Sequence, residues 1–435
     1  MKSLSFATVF AALSGFVVLW VASWTLDAET QMRYFQAYWS LFFASAGFID
    51  GITQETTRAV ASAREGVEHG RPARGTANPW RMSFVIVAAV IILTAVLGSL
   101  FMDSVVPLTP GLATQLLLIG LVNYVYQAIV SGILSGARLW NQYAGLVALD
   151  SGVRLALAVL AWRAGWGVEA FLVITVVGAM SWLVILVVSP QARSHVRVAL
   201  DVDRAEFLRR VLTAIVATGA SATLITGFPV VVNAAFPADS AAAAAVGAGS
   251  SAGGTDASGV AGFTGVTVAA INQAVLLTRA PVLVPLQRFQ SALVVRFVEN
   301  RARIYSSLAR PIAAIIAVGL IGFAAAWLIG PWILRLFFPP ELFVPGLPLG
   351  VLTFASAIMG ALIITGTAVL ALELHGWYVA GWVVGSVGTF ALLLVLPAVT
   401  GSGVTATVCA ALIAGPLIGA AVHLAGLATA AAPKT

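Results

Sequence analysis

Charge is what this chain has least of. Only 9% of its 435 residues are Asp, Glu, Lys or Arg, against about 25% in soluble domains. Lysine occurs only at Lys2 and Lys434. A Walker A loop needs a Gly-Lys pair followed by Ser or Thr, so the chain cannot itself be a P-loop ATPase. The single cysteine, Cys409, has no disulfide partner. Four scattered histidines and one thiol offer no zinc-ligand spacing. No Gly-x-Ser-x-Gly elbow stands in a soluble strand–helix context. No cofactor or metal is therefore expected.

What is present is apolar. Hydrophobic residues make up 60% of the chain and the mean hydropathy is +0.99, which places it among polytopic membrane proteins. A bilayer span takes about 20 mostly apolar residues. That length predicts about 12 spans, at roughly 4–26, 34–56, 81–102, 112–134, 143–164, 168–188, 211–235, 264–287, 311–334, 346–371, 377–398 and 404–427. The first follows Lys2 but is too long for a signal-peptide core.

The basic residues orient these spans. With the N-terminus inside, 18 Lys and Arg fall in cytoplasmic segments and three, Arg33, Arg163 and Arg335, fall outside. The positive-inside bias predicts cytoplasmic N- and C-termini, and it accounts for the net charge of +6 without a nucleic-acid partner. Trp20, Trp24, Tyr38, Trp39, Trp162, Trp166 and Trp332 fall near the expected outer interface. Trp80, Trp140, Tyr143 and Trp377 fall near the inner one. All are expected to be headgroup anchors.

The longest basic linker, 189–210, divides an expected six-helix half at 1–188 from a second at 211–435. Segment 237–262 is rich in Ala, Gly and Ser and reads as a flexible external loop, since such composition buries little apolar surface. Pro229 in span 7, Pro281 and Pro285 in span 8 and Pro416 in span 12 predict kinks.

One stretch echoes across the halves. FFASAGFIDGITQETTRA, Phe42 to Ala59, shifted by 221 residues, meets FTGVTVAAINQAVLLTRA, Phe263 to Ala280. Phe42 then falls on Phe263, Thr57 on Thr278, Arg58 on Arg279 and Ala59 on Ala280. A shift of half the chain is what repeated transporter halves produce. The two arginines are either a pair that grips an anion or ordinary cytoplasm-flanking residues.

Ionisable side chains at membrane depth are expensive and face a partner or a cavity. Asp150 and Arg154 in span 5 are spaced i, i+4 and share one helix face. They form either an intrahelical ion pair or a cavity wall whose arginine meets an anion while the aspartate handles a proton. Asn123 and Gln127 share a face of span 4, Asn272, Gln273 and Arg279 occupy span 8, and Asp50, Gln54, Glu55 and Arg58 lie at the inner end of span 2. Single amides often serve as helix–helix glue, but their concentration in spans 2, 4, 5 and 8 predicts a shared hydrophilic cavity. His423 in span 12 reads as a packed histidine. Asp27-Ala28-Glu29, after span 1, is the one enzyme-like feature: membrane glycosyltransferases that use polyprenyl-linked sugars carry an acidic pair in their first external loop.

Taken together, twelve spans in two halves, a basic central linker and cationic residues in spans 2, 5 and 8 resemble the multidrug/oligosaccharidyl-lipid/polysaccharide (MOP) exporter superfamily. The similarity is greatest to its bacterial polysaccharide flippases, which include O-antigen and lipid-II flippases. YWSLFFASAGFIDGITQETTRAV, Tyr38 to Val60, is similar to span 2 of actinobacterial polysaccharide biosynthesis proteins, and LTRAPVLVPLQRF, Leu277 to Phe289, resembles the corresponding part of span 8. The resemblance implies an all-α fold of two six-helix bundles around a central cavity, in the bacterial plasma membrane. It implies a flippase for a polyprenyl-(pyro)phosphate-linked saccharide. Arg58, Arg279, Arg154, Asn123, Gln127 and Asn272 would be its substrate-binding residues, with Asp150 and Asp50 for coupling. Glycosyltransferases or polymerases of the same pathway would be its partners. Span 1 carries no charge within it and no further helix pair follows span 12; lipid-II flippases resemble neither feature, which points to another cargo. A cation-coupled multidrug exporter and a polyprenyl-sugar-dependent glycosyltransferase are the alternatives.

Overall fold

The computed structural model describes residues 2–68, 75, 77–196, 200, 202–237, 265–299, 303–372 and 374–431. Among them there is no strand. Twelve long helical segments follow one another in the places that the apolar runs predict. They are α1 (Lys2–Thr25), α2 (Arg33–Glu68), α3 (Pro79–Val105), α4 (Pro110–Gly136), α5 (Trp140–Ala164), α6 (Val168–Val188), α7 (Arg204–Thr226), α8 (Val268–Glu299), α9 (Ile304–Phe337), α10 (Gly346–Ala371), α11 (His375–Thr400) and α12 (Val404–Ala431). Ten are long and apolar enough to cross a membrane. The other two, α2 and α8, reach 36 and 32 residues and carry the polar stretches singled out above. The chain is a multi-pass membrane protein. The loop expected at 237–262 lies, beyond Pro237, outside the described residues.

Local chemistry sets several boundaries. Asn78 caps α3, its side chain accepting from the main-chain N–H groups of Trp80 and Arg81, with Pro79 in the first turn. That pairing satisfies donors that a helix start leaves orphaned. Gly165, at φ 66°, ends α5 in the left-handed conformation, which glycine adopts without a steric penalty. Span 7 differs from its expected course. The helix stops at Thr226, and a new short helix, Phe228–Ala235, begins after Gly227. Pro229 therefore opens a helix, where its missing N–H costs nothing, instead of kinking one. Pro281, Pro285 and Pro416 lie within continuous helices.

The chain forms two compact units. One comprises residues 1–27 and 34–227, the other 28–33 and 228–435. The linker at 189–210 marked the division in the sequence, but contacts group α7 with the first unit. The cause is close packing of small residues: a Cβ on Gly51 would lie 2.4 Å from the Ile215 nitrogen, one on Gly47 2.2 Å from Ala222, and one on Gly219 1.9 Å from the Phe48 ring.

Within the first unit, α4 docks on α2 through a second glycine pair. Gly132 faces Thr56 and Gly136 faces the Thr57 carbonyl and Val60; Thr57 and Ser135 hydroxyls meet at 2.7 Å. Within the second unit α10 is the axis, packed by α8, α9, α11 and α12. Its most apolar window is 83% buried, whereas the still more apolar windows of α3 and α9 are each 11% buried, as suits helices that face lipid. Tyr38 and Trp39, expected at a headgroup interface, are buried in the first unit. Trp24, Trp162, Trp166 and Trp332 are exposed as anchors should be.

Candidate functional site

A cavity of about 450 Å³ opens inside the first unit, between α1, α2, α4 and α5. Its polar wall is made by Asp50 and Thr53 of α2, Tyr124, Gln127 and Ser131 of α4, and Tyr143, Asp150, Ser151 and Arg154 of α5. Its apolar wall includes Ala11, Gly15 and Val18 of α1 with Trp39 and Phe43 of α2. Helical spacing of three and four explains the convergence. Positions 124, 127 and 131 share one face of α4, and positions 143, 147, 150, 151 and 154 share one face of α5.

The charged centre is Arg154, which is 4% exposed. Its Nη1 donates to Asp150 Oδ2 at 2.6 Å and its Nε donates to the Thr175 carbonyl of α6 at 3.0 Å. The Phe43 and Phe42 rings lie 5.1 and 5.9 Å from the guanidinium carbon, close enough for cation–π attraction. The i, i+4 spacing thus produces an ion pair that also lines a cavity. Opposite it, α6 breaks its α pattern with a 3-10 turn at Gly178–Met180. A Cβ on Gly178 would sit 2.5 Å from both the Arg154 guanidinium carbon and Asp150 Oδ1, so only glycine fits there. With its amide nitrogen turned to this break, Gln127 donates to the carbonyls of Gly178 at 3.2 Å and Ala179 at 3.1 Å.

Asp50 is the second carboxylate of the cavity. The Tyr124 hydroxyl donates to its Oδ1 at 3.0 Å. Sequence reading passed over Tyr124, Thr53, Ser131 and Ser151, and assigned Tyr143 to the interface. The available signal was position: Tyr124 stands beside Asn123 and three residues from Gln127 in the middle of an apolar run.

The remaining expected residues lie elsewhere. Asn123, one helical turn before Gln127 on α4, is not among the residues that line the cavity. Its amide nitrogen donates to the Ile119 carbonyl at 2.9 Å and its oxygen accepts from Trp182 Nε1 at 3.4 Å, beside the packed rings of Trp80, Tyr126 and Trp182. Arg58 makes a two-bond fork with Glu55, at 2.9 and 2.6 Å, and is 39% exposed. Arg279 belongs to the second unit, where it is buried with its guanidinium 5.4 Å from the Phe228 ring. Asn272, two turns away on α8, is fully buried and neither of its amide atoms has a hydrogen-bond partner among the described residues. No group of three metal-ligating side chains occurs among the described residues. Asp27 is exposed; the Glu29 side chain lies outside the described residues.

An all-helical membrane chain of this form has known counterparts in structure. It has the fold of MOP-superfamily transporters. It superposes on an inward-facing multidrug resistance MATE family transporter of the MOP superfamily with a TM-score of 0.70, at 14% identity, covering 97% of this chain and 96% of that one. It superposes on the lipid II flippase MurJ in an inward closed conformation with a TM-score of 0.62, at 14% identity, covering 98% and 87%. A MOP superfamily transporter from Pyrococcus furiosus, described by a reversed polarity of its binding pocket, gives 0.60 at 15% identity, covering 98% and 95%. In sequence, the chain is 35% identical over 422 residues to the uncharacterized protein Mb3654 of Mycobacterium bovis, spanning 97% of this chain and 90% of that protein. It is 32% identical over 423 residues to the uncharacterized protein Rv1510 of Mycobacterium tuberculosis, with the same coverage. The chain belongs to the family of these mycobacterial proteins. No family model matches it.

Proposed function

We propose that this protein is a flippase that moves a polyprenyl-(pyro)phosphate-linked saccharide from the cytoplasmic to the outer leaflet of the bacterial plasma membrane. It would act by alternating access, both termini cytoplasmic, in cell-envelope polysaccharide synthesis. The observation that carries this reading is the mixed wall of the first unit's cavity. Hydroxyls of Thr53, Tyr124, Ser131, Tyr143 and Ser151 and the Gln127 amide line it together with a fixed guanidinium. Sugars are recognised by such donors and acceptors, and a guanidinium favours an anionic headgroup. Similarity in fold to a lipid II flippase supports the same class of cargo.

In this reading Arg58 and Arg279 recruit the phosphate, because a guanidinium keeps its charge and presents a planar fork to phosphate oxygens. Glu55 holds the Arg58 fork until cargo competes for it. Gln127, and Asn123 once released from Trp182, hydrogen-bond sugar; the unpaired Asn272 amide supplies the same chemistry in the second unit. Arg154 contributes positive charge from the cavity wall, while Asp50 and Asp150 are the candidate coupling groups. Glycosyltransferases or polymerases of the same pathway are the natural partners of such a step.

A second reading has its own observation. Asp50 and Asp150 both face the cavity, which favours a cationic cargo and a cation-coupled multidrug exporter. One experiment separates these readings from the glycosyltransferase alternative. Leaflet distribution of lipid-linked saccharide is measured in depleted cells rescued with wild type or Arg279→Ala. Intact lipid-linked saccharide accumulating in the inner leaflet, and persisting with the variant, is the expected result. A pool shortened to an unextended precursor would instead favour the enzyme, and an unchanged pool would favour drug export.

A further inference from the structure

The Asp150–Arg154 pair is built unlike another arginine–carboxylate pair of the first unit. Arg58 meets Glu55 through two parallel bonds, the geometry that the planar fork prefers. Arg154 meets Asp150 through one. Its Nη2 and Asp150 Oδ1 are buried and make no hydrogen bond among the described residues. The guanidinium here acts as a positive charge in a slot, with its fork unmatched.

The slot itself has the form of a cation site. The 3-10 turn interrupts the helix ladder of α6 at Gly178–Met180 and turns main-chain oxygen outward. The Thr175 carbonyl is one such oxygen, at 3.0 Å from Arg154 Nε. Broken helices at membrane depth use freed carbonyls to coordinate coupling ions. Here the carbonyl is joined by a carboxylate, Asp150, and by two ring faces, Phe42 and Phe43. Gly178 supplies the room, since any Cβ there would clash with the guanidinium carbon at 2.5 Å.

We propose that Asp150, the Thr175 carbonyl and the Gly178 turn form a monovalent-cation site that the chain fills permanently with its own Arg154. The tethered charge makes this carboxylate independent of Na+ and K+. Asp50, held by the Tyr124 hydroxyl, is the cavity's other carboxylate and lies outside this site. This inference concerns an ion, not the cargo, and its test needs no cargo.

The test is thermal unfolding of the purified full-length protein in choline chloride, NaCl and KCl at constant ionic strength. Wild type is expected to unfold at one midpoint in all three salts. Arg154→Ala is expected to unfold several degrees lower in choline chloride and to recover saturably with Na+ or K+, with a preference between them. Adding Asp150→Asn to that variant is expected to abolish the response. A wild type that shows the same ion-specific shift as the variant overturns the proposal. So does a folded Arg154→Ala protein indifferent to both ions. An Arg154→Ala protein that fails to fold in NaCl and in KCl overturns it too, because neither ion can then take the guanidinium's place.

Discussion

Arg154 in the first unit and His423 in the second are both ionisable, both nearly inaccessible and both placed inside apolar helices. Their surroundings differ. His423 is sealed by packing. Its Nε2 donates to the Tyr378 carbonyl at 3.1 Å, and its Nδ1 lies 3.1 Å from the Thr365 hydroxyl. A Cβ on Gly381 would lie 2.2 Å from that Nε2, and one on Gly366 3.1 Å from the ring. The imidazole fills the space that two glycines leave and ties α12 to α10 and α11. Arg154 is paired just as thoroughly on one side, yet its residue also lines a 450 Å³ cavity. Burial and hydrogen bonding are common to the two groups, and the adjoining polar cavity is what sets Arg154 apart.

The sharpest way to break this comparison is to remove one partner of the charged pair. Asp150→Ala leaves the Arg154 guanidinium buried without its carboxylate. Such a change costs about 3–5 kcal/mol. The expected result is a fall in thermal midpoint larger than any glycine or tyrosine substitution brings, together with loss of the flipping proposed above. Next come the two glycines that make room for the two groups. Gly178→Ala and Gly381→Ala each force a Cβ into an occupied space, at a cost of about 1–3 kcal/mol. Their midpoints should fall alike. Flipping per folded molecule should drop only for Gly178→Ala, since Gly381 abuts the sealed site. Equal losses of flipping would collapse the distinction between the sites.

The sequence carried the helices because a span leaves a run of about 20 apolar residues that nothing else produces. It carried the Asp150–Arg154 pair because i, i+4 spacing is local. Contacts between helices were harder to read. Tyr124 reaches Asp50 only because Gly132 and Gly136 bring α4 onto α2, and the hydrogen bond spans 74 residues. Even so, Gly47-x-x-x-Gly51 and Gly132-x-x-x-Gly136 are small-residue pairs of the kind that mark close helix contacts. They were the signal for the docking of α7 and α4 on α2. The break in α6 had no such mark. Gly178 lies in an apolar run, and its role depends on an arginine 24 positions earlier that only the folded chain brings near. Tyr38 and Trp39 misled for a related reason: distance along a span predicts depth in the bilayer but says nothing of which face meets lipid.

The smallest effect expected is also the most discriminating. Tyr124→Phe removes one hydroxyl and keeps the ring that packs edge-on against Phe42 at 6.2 Å. The lost hydrogen bond to Asp50 is worth about 0.5–1.5 kcal/mol, so the thermal midpoint should move little. Asp50 keeps its place on the cavity wall but loses the group that orients it. If Asp50 is the carboxylate that exchanges an ion during transport, the dependence of flipping on proton or sodium gradient should change while the protein remains as stable as wild type. His423→Gln offers the matched control from the sealed site: it retains an amide donor for the Tyr378 carbonyl, and the gradient dependence should stay that of wild type. A shift in both would mean that the second unit's packed histidine takes part in coupling after all, and a shift in neither would move coupling away from Asp50.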